Sequence, residues 1–212
     1  MKIFYFDQYP NLLSHVSLSA ATVEGQIGEY RLQFLPQRNA EVEWQIKFPT
    51  FLKPFYKYVW QNAVIPSQSV YWDYYLTQNN DFFNISAFSD EIMDGLQARV
   101  FRTYPSLVRD IHFVFCLHED LSNAQVLYNT HLDVAQGIDV LIAHQQQFWA
   151  FNLYTPTRRA QESRTKKQFR HAPFTNVQYV EFPVTFDAKR QIGDFFLYGR
   201  PEIERIKTQI GY

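Results

Sequence analysis

The sequence predicts a mixed α and β fold, α+β or α/β, with a mixed central sheet flanked by helices. An aromatic-rich, strand-containing part is expected ahead of that sheet. Three observations predict this class. Leu107, Val108, Ile111, Val114 and Phe115 recur at the spacing of one buried helix face. Three short apolar or alternating runs follow between residues 125 and 155. Helix-like and strand-like segments then alternate to the end of the chain, an order suited to one sheet covered by helices.

The polar run from Gln78 to Asp81 divides the chain by texture. It predicts an aromatic-rich N-terminal region over 1–80 and an α/β core over 81–212. Candidate strands in the first region are 2–6, 29–34 and 41–48. The last reads E-V-E-W-Q-I-K-F, and its alternation places Val42, Trp44, Ile46 and Phe48 on one face. The runs FPTFLKPFYKYVW and VYWDYYLTQ are dense in Phe, Tyr and Trp, which read as core or subunit contact before base stacking.

In the second region, Ser89 or Asp90 caps a helix reading DEIMDGLQARVFRT. Pro105 fits the first position of a second helix, YPSLVRDIHFVFCLHED. Strands are expected at 125–131, 138–143 and 147–155, with Gly137 and the Gln145-Gln146 pair as turns. A basic segment, 158–171, is expected to be helical in its middle. Strands at 177–184 and 193–198 follow, then a helix from Pro201 with Ile203, Ile206 and Ile210 as its apolar stripe.

Composition excludes several classes. Of 212 residues, 46% are hydrophobic and 19% charged, enough for a folded core and unlike a disordered chain. The net charge of -1 excludes a wholly basic coat protein. One cysteine, Cys116, excludes an internal disulfide and a zinc site built from cysteines. The seven glycines form neither a dinucleotide fingerprint nor a phosphate loop. No run approaches the roughly 18 apolar residues of a membrane span, so the reading is cytoplasmic with no membrane partner. The stretch LLSHVSLSAA, ending in small residues, leaves signal cleavage as the alternative.

Two features carry candidate chemistry. Asp110 sits at the margin of the apolar helix face, bordering the core. Asp139 interrupts an otherwise apolar strand, where an ionised carboxylate costs several kcal/mol unless it is paired, hydrogen-bonded or metal-bound. Asp139 reads either as a functional acid or as a strand-edge residue closing the turn after Gly137. The second feature is charge. Arg158, Arg159, Arg164, Lys166, Lys167 and Arg170 stand against Glu162 alone, so this segment carries +5 and the rest of the chain -6. Such a cluster on an acidic background points to a polyanionic partner, with a solvated helix face as the alternative.

The order of helix with an edge acid, hairpin with an aspartate, adjacent strand and basic helix resembles the PD-(D/E)xK nuclease superfamily. The resemblance covers about half the chain, from Asp90 to Val184. It implies a restriction-endonuclease-like core and Mg²⁺-dependent hydrolysis of DNA. It also implies Asp110 and Asp139 as metal ligands. Asn152 and Tyr154 stand where the family has E and K. By the same resemblance Asn152 offers a neutral oxygen, and the lysine's work falls to Lys166 or Lys167, or else to Arg158 or Arg164. Arg158, Arg159, Arg164, Lys166, Lys167 and Arg170 grip nucleic acid. The physical demand is charge: cleavage puts negative charge on phosphate oxygens and needs a deprotonated water, and a divalent cation serves both.

Two other classes stay open. One is a non-catalytic domain binding DNA or another nucleic acid. The other is an assembly protein forming homo-oligomers or complexes through aromatic N-terminal surfaces. His131 and Asp133 form an H-x-D without further ligands at metal spacing. His112 and His118 are six apart and share no helix face. Cys116 reads as a buried thiol.

Overall fold

The computed structural model describes residues 2–155, 174–184 and 190–212. Ahead of the sheet the chain is helical. Ser19 accepts from the Thr22 amide at 3.0 Å and opens α1 (Ala20–Gly28). The two aromatic runs form α3 (Leu52–Asn62) and α4 (Gln68–Gln78), and α5 (Asn80–Ser86) follows. Phe55 with Val59, and Tyr71 with Tyr75, sit one turn apart and are fully buried.

The strands expected at 2–6, 29–34 and 41–48 are not formed. Lys2 alone makes a parallel bridge, to Phe174. Residues of the third are helical, in α2 (Ala40–Trp44), because the Asn39 side chain accepts from the Glu41 and Val42 amides. A local cap therefore overrides the alternation. Val42 is buried while Trp44 points to solvent, so the expected common face does not exist. Gly95, on the long helix that begins at Asp90, allows this cap to lie close: a Cβ there would stand 2.7 Å from the Asn39 Cβ.

The two helices expected on either side of Pro105 are one, α6 (Asp90–Asp120), 31 residues long with the proline inside it. Proline has no N–H to offer the carbonyl four residues back, that of Phe101. Gln68 supplies the donor instead. Its Nε2 reaches Phe101 O at 3.1 Å, and its Oε1 accepts from the Gln33 amide at 2.6 Å. Its side chain comes from α4 and is buried. With the orphan carbonyl satisfied, α6 continues into its most buried stretch, from Leu107 to Leu117.

After α6 comes β1 (Gln125–Leu127), shorter than the expected 125–131. Asn129 ends it by accepting from the His131 and Leu132 amides and opening α7 (Thr130–Gln136). Gly137, at φ +67°, closes α7 and turns the chain into β2 (Val140–His144). Gln145 and Gln146, both at positive φ, return it as β3 (Gln147–Tyr154). β4 (Val177–Pro183) completes a sheet of order β1-β2-β3-β4. β1, β2 and β3 are antiparallel in sequence, and β4 runs parallel to β3. The run expected at 193–198 is a short hairpin, β5 (Gln191–Ile192) with β6 (Phe195–Phe196). Finally α8 (Arg200–Ile210) begins at Pro201 as expected, with the Gly199 amide donating to Glu202 at 3.0 Å. The helix expected within 158–171 lies outside the described residues.

The predicted class is therefore the observed one: α and β elements around a mixed four-stranded sheet. The sheet separates two cores. Val140, Ile142, Phe151 and Phe182 face the larger one, which draws on residues from Leu13 to Ile210 and holds α6 at its centre. Leu141, Ala150 and Val177 face a smaller one closed by Phe4, Leu127, Leu132, Ile138 and Phe174. Among the described residues no helix is long and apolar enough to cross a membrane.

The Gln68 bond is testable by a double-mutant cycle. Gln68→Leu is expected to destabilise the protein by about 1–3 kcal/mol in urea titrations. In a Pro105→Ala background, where residue 105 regains its N–H, the same change should cost less. Equal costs in both backgrounds would show that Gln68 does not act through Phe101.

Candidate active site

Asp110 follows Val108 and Arg109 on α6 and precedes Ile111, so its neighbours are drawn into the core. About a third of its own side chain, 36%, stays open to solvent. Arg109 is buried beside it, with Nε 3.9 Å from Asp110 Oδ1. The Arg109 guanidinium also lies over the Tyr198 ring, 4.9 Å from its centroid. Tyr198 is itself buried, so this contact of cation and ring lies inside the protein. Desolvation raises the Asp110 carboxyl to about 6, against the pull of Arg109 and Tyr198. The charge on Asp110 is thus only partly compensated by the residues around it.

Asp139 sits immediately before β2. Its amide donates to Phe151 O at 3.0 Å, and its Oδ2 accepts from the Leu153 amide at 2.5 Å. The side chain takes the place of a main-chain acceptor at the open end of the β2–β3 ladder, which satisfies the strand-edge reading of this residue.

The two aspartates share neighbours. Burial raises the Tyr56 phenol well above its usual value, and the negative charges of Asp133, Asp110 and Asp139 raise it further. Tyr198 is likewise raised by burial and by both Asp110 and Asp139. Two carboxylates from separate elements therefore act on the same pair of phenols, one on α3 and one just ahead of α8. Behind them Asp133 is buried and accepts from the Tyr128 hydroxyl at 2.9 Å. The Tyr128 and Tyr56 rings lie 4.9 Å apart.

Asn152 lies opposite Glu181 across the β3–β4 ladder, with Nδ2 donating to Glu181 Oε1 at 3.3 Å. A carboxylate thus stands on β4 beside the position where the resembled family carries one on β3. Tyr154 ends β3 at the Asp139 end of the sheet, and Thr155 leads on toward the basic segment. Arg158, Arg159, Arg164, Lys166, Lys167 and Arg170 themselves lie outside the described residues.

A second constellation forms on the other side of α6. Cys116 Sγ lies 3.5 Å from His112 Nε2, and that nitrogen lies 2.9 Å from Glu24 Oε1. The order Cys, His, Glu has the outline of a thiol hydrolase. Burial, however, pushes the Cys116 thiol up to about 12, so it holds its proton and offers no thiolate. The His112 side chain is fully buried, its pKa lowered first by desolvation, and Arg190 also pairs with Glu24. These residues tie α6 to α1 and to the chain before β5.

Among the described residues no three His, Cys, Asp or Glu side chains gather into a cation cage. The aromatic residues of the first region are mostly internal. Phe55, Tyr56, Tyr71 and Tyr75 fill the core, while Trp44, Phe34 and Ile3 are the large apolar side chains this region exposes most. Sequence reasoning missed three residues of the site. Tyr56 is hidden inside an aromatic run, and nothing local marks Tyr198. Arg109 did carry a signal, as a cation next to an acid within a stretch otherwise apolar enough to be buried.

The Asp110 carboxyl gives a pH prediction. Its folded pKa lies above the unfolded value of 3.8, so the folded state holds the extra proton between about pH 4 and 6. Asp110 therefore lowers stability as pH rises through that window, and the loss is complete above it. Asp110→Asn is expected to raise Tm at pH 7.5, with the difference shrinking toward pH 4. A difference independent of pH would refute the raised value. In comparisons with known proteins, no family model, curated protein or solved structure matches this chain.

Proposed function

We propose that this chain is a metal-dependent endonuclease of the PD-(D/E)xK kind, hydrolysing phosphodiester bonds of DNA with Asp110 and Asp139 as its acids. The observation that carries this reading is the presence of two acids at the edge of the core on separate elements, Asp110 on α6 and Asp139 at the mouth of the β2–β3 hairpin. The order α6, β1, α7, β2, β3, β4, with β4 parallel to β3, supports it. So does the emergence of the basic segment from the Asp139 end of β3.

In this reading Asp110 and Asp139 would hold Mg²⁺. Asp110 is open to solvent and undercompensated in charge, and Asp139 adds a second oxygen donor. Mg²⁺ keeps most of its waters and asks for only one or two protein carboxylates. When bound, the ion supplies Lewis acidity and lowers the pKa of its water. The chain's own residues do the rest. Leu153 orients Asp139, Arg109 flanks Asp110, and the basic residues from Arg158 to Arg170 would hold flanking phosphates.

A second reading, a non-catalytic nucleic-acid binder, is favoured by Asn152, which brings no charge to β3 and donates to Glu181. The two separate by experiment. Asp139→Asn keeps an acceptor for the Leu153 amide, yet it is expected to reduce Mg²⁺-dependent DNA cleavage by about a hundredfold or more. DNA binding should be unchanged or slightly tighter, since a negative charge is removed. Unchanged cleavage would take Asp139 out of the chemistry, and a wild type that binds but never cleaves would favour the second reading. Lys166→Gln with Lys167→Gln should weaken DNA binding and flatten its salt slope by roughly two. A wild type that binds no DNA at low salt removes both readings.

A further inference from the structure

We infer that the surface around α5 is a docking site for a cationic, apolar-anchored segment of a partner protein. The helix carries Phe82, Phe83 and Ile85, yet it buries none of its residues. Ile85 is the most exposed large apolar side chain among the described residues, at 85%. Phe82 lies one turn before it on the same face. The Phe82 ring meets Phe48 at 6.0 Å, Phe83 at 5.3 Å and Phe88 at 5.7 Å, and Phe48 meets Phe88 at 5.4 Å. Phe48 and Phe83 lean on the main core, whereas Phe82, Ile85 and Phe88 stand outside both cores of the described residues. The rings therefore hold one another in place while each stays partly open to water. A contiguous aromatic patch of this kind is surface that a partner covers.

The charge around the rings selects the occupant. Asp81 precedes Phe82, and Asp90, Glu91 and Asp94 follow Phe88, all exposed, against Lys47 beside Phe48. An acidic frame repels phosphate, which turns nucleic acid and anionic lipid away from this face. A second copy meeting the same patch about a two-fold axis would set acid against acid. A segment with apolar side chains one turn apart, framed by lysine or arginine, answers both features at once. It needs neither carboxylate of the proposed nuclease site. Asp90 and Glu91 also favour the start of α6 through its dipole, so their effect on binding has to be read apart from their effect on stability.

The test uses the full chain and, as the probe, a fluorescent amphipathic peptide of leucine and lysine about 15 residues long, followed by anisotropy. Its leucine–glutamate counterpart is the charge control. The lysine peptide is expected to bind about tenfold or more tightly than the glutamate peptide, with a margin that shrinks as salt rises. Ile85→Ser removes an exposed side chain without touching a core, so Tm should hold while affinity falls about tenfold. Phe88→Ala should weaken binding at least as much. Asp90→Asn with Glu91→Gln should weaken it and flatten its salt dependence, whatever happens to Tm. Equal binding of the two peptides overturns the inference, as does lysine-peptide binding that Ile85→Ser leaves within about twofold of wild type. Absence of binding at low salt overturns it outright. A wild-type dimer that Ile85→Ser makes monomeric in sedimentation would assign the patch to a second copy instead. Binding to phosphatidylglycerol vesicles that the same variant loses would assign it to lipid.

Discussion

Helix α6 passes through Pro105 because a glutamine from α4 donates to the carbonyl that the proline leaves bare. Much of the architecture depends on that substitution of donors. The stretch beyond the proline is the centre of the main core, packed by α1, β1 and β6 and carrying Arg109 and Asp110 on its margin. A helix broken at Pro105 would aim those side chains elsewhere, because a kink of even 20° displaces residues a turn or two away by several ångströms. The aromatic first region is thus more than a neighbour of the sheet. It supplies the Gln68 donor and the buried Tyr56 ring that packs on Tyr128.

Three acids show how burial and charge are balanced here. Asp133, deepest in the protein, is satisfied by a tyrosine hydroxyl. Asp139 is satisfied by a backbone amide. Asp110 has a neighbouring arginine and a phenol, yet desolvation still outweighs them. A gradient runs from a fully accommodated acid inside to an undercompensated one at the surface. Structural acids seldom need such a gradient, whereas a site that meets a cation or a proton gains from it.

The fold class was legible because it rests on periodicity. The helix face around Leu107, the alternating hairpin and the closing helix from Pro201 all follow spacing rules that tertiary contacts merely confirm. The misreadings came from side chains that bond locally. Asn39 and Asn129 each seize two amides and start a helix, which turned an alternating run and half of an expected strand into α2 and α7. Pro105 misled for the converse reason, since the partner that tolerates it lies far away in sequence. Of the site, Asp110 and Asp139 were legible as acids at the wrong polarity for their surroundings. Tyr56 and Tyr198 were not, because a phenol reads as ordinary core until its hydroxyl is seen to face something.

The bond from the Leu153 amide to Asp139 has one more consequence. A carboxylate oxygen there stands in for a backbone carbonyl, so the cohesion of the hairpin mouth and the local negative potential reside in the same atom. The charge cannot swing aside without unzipping the first rung of the sheet. Whatever meets this acid must come to it, and the stiffness of the strands becomes the stiffness of the site.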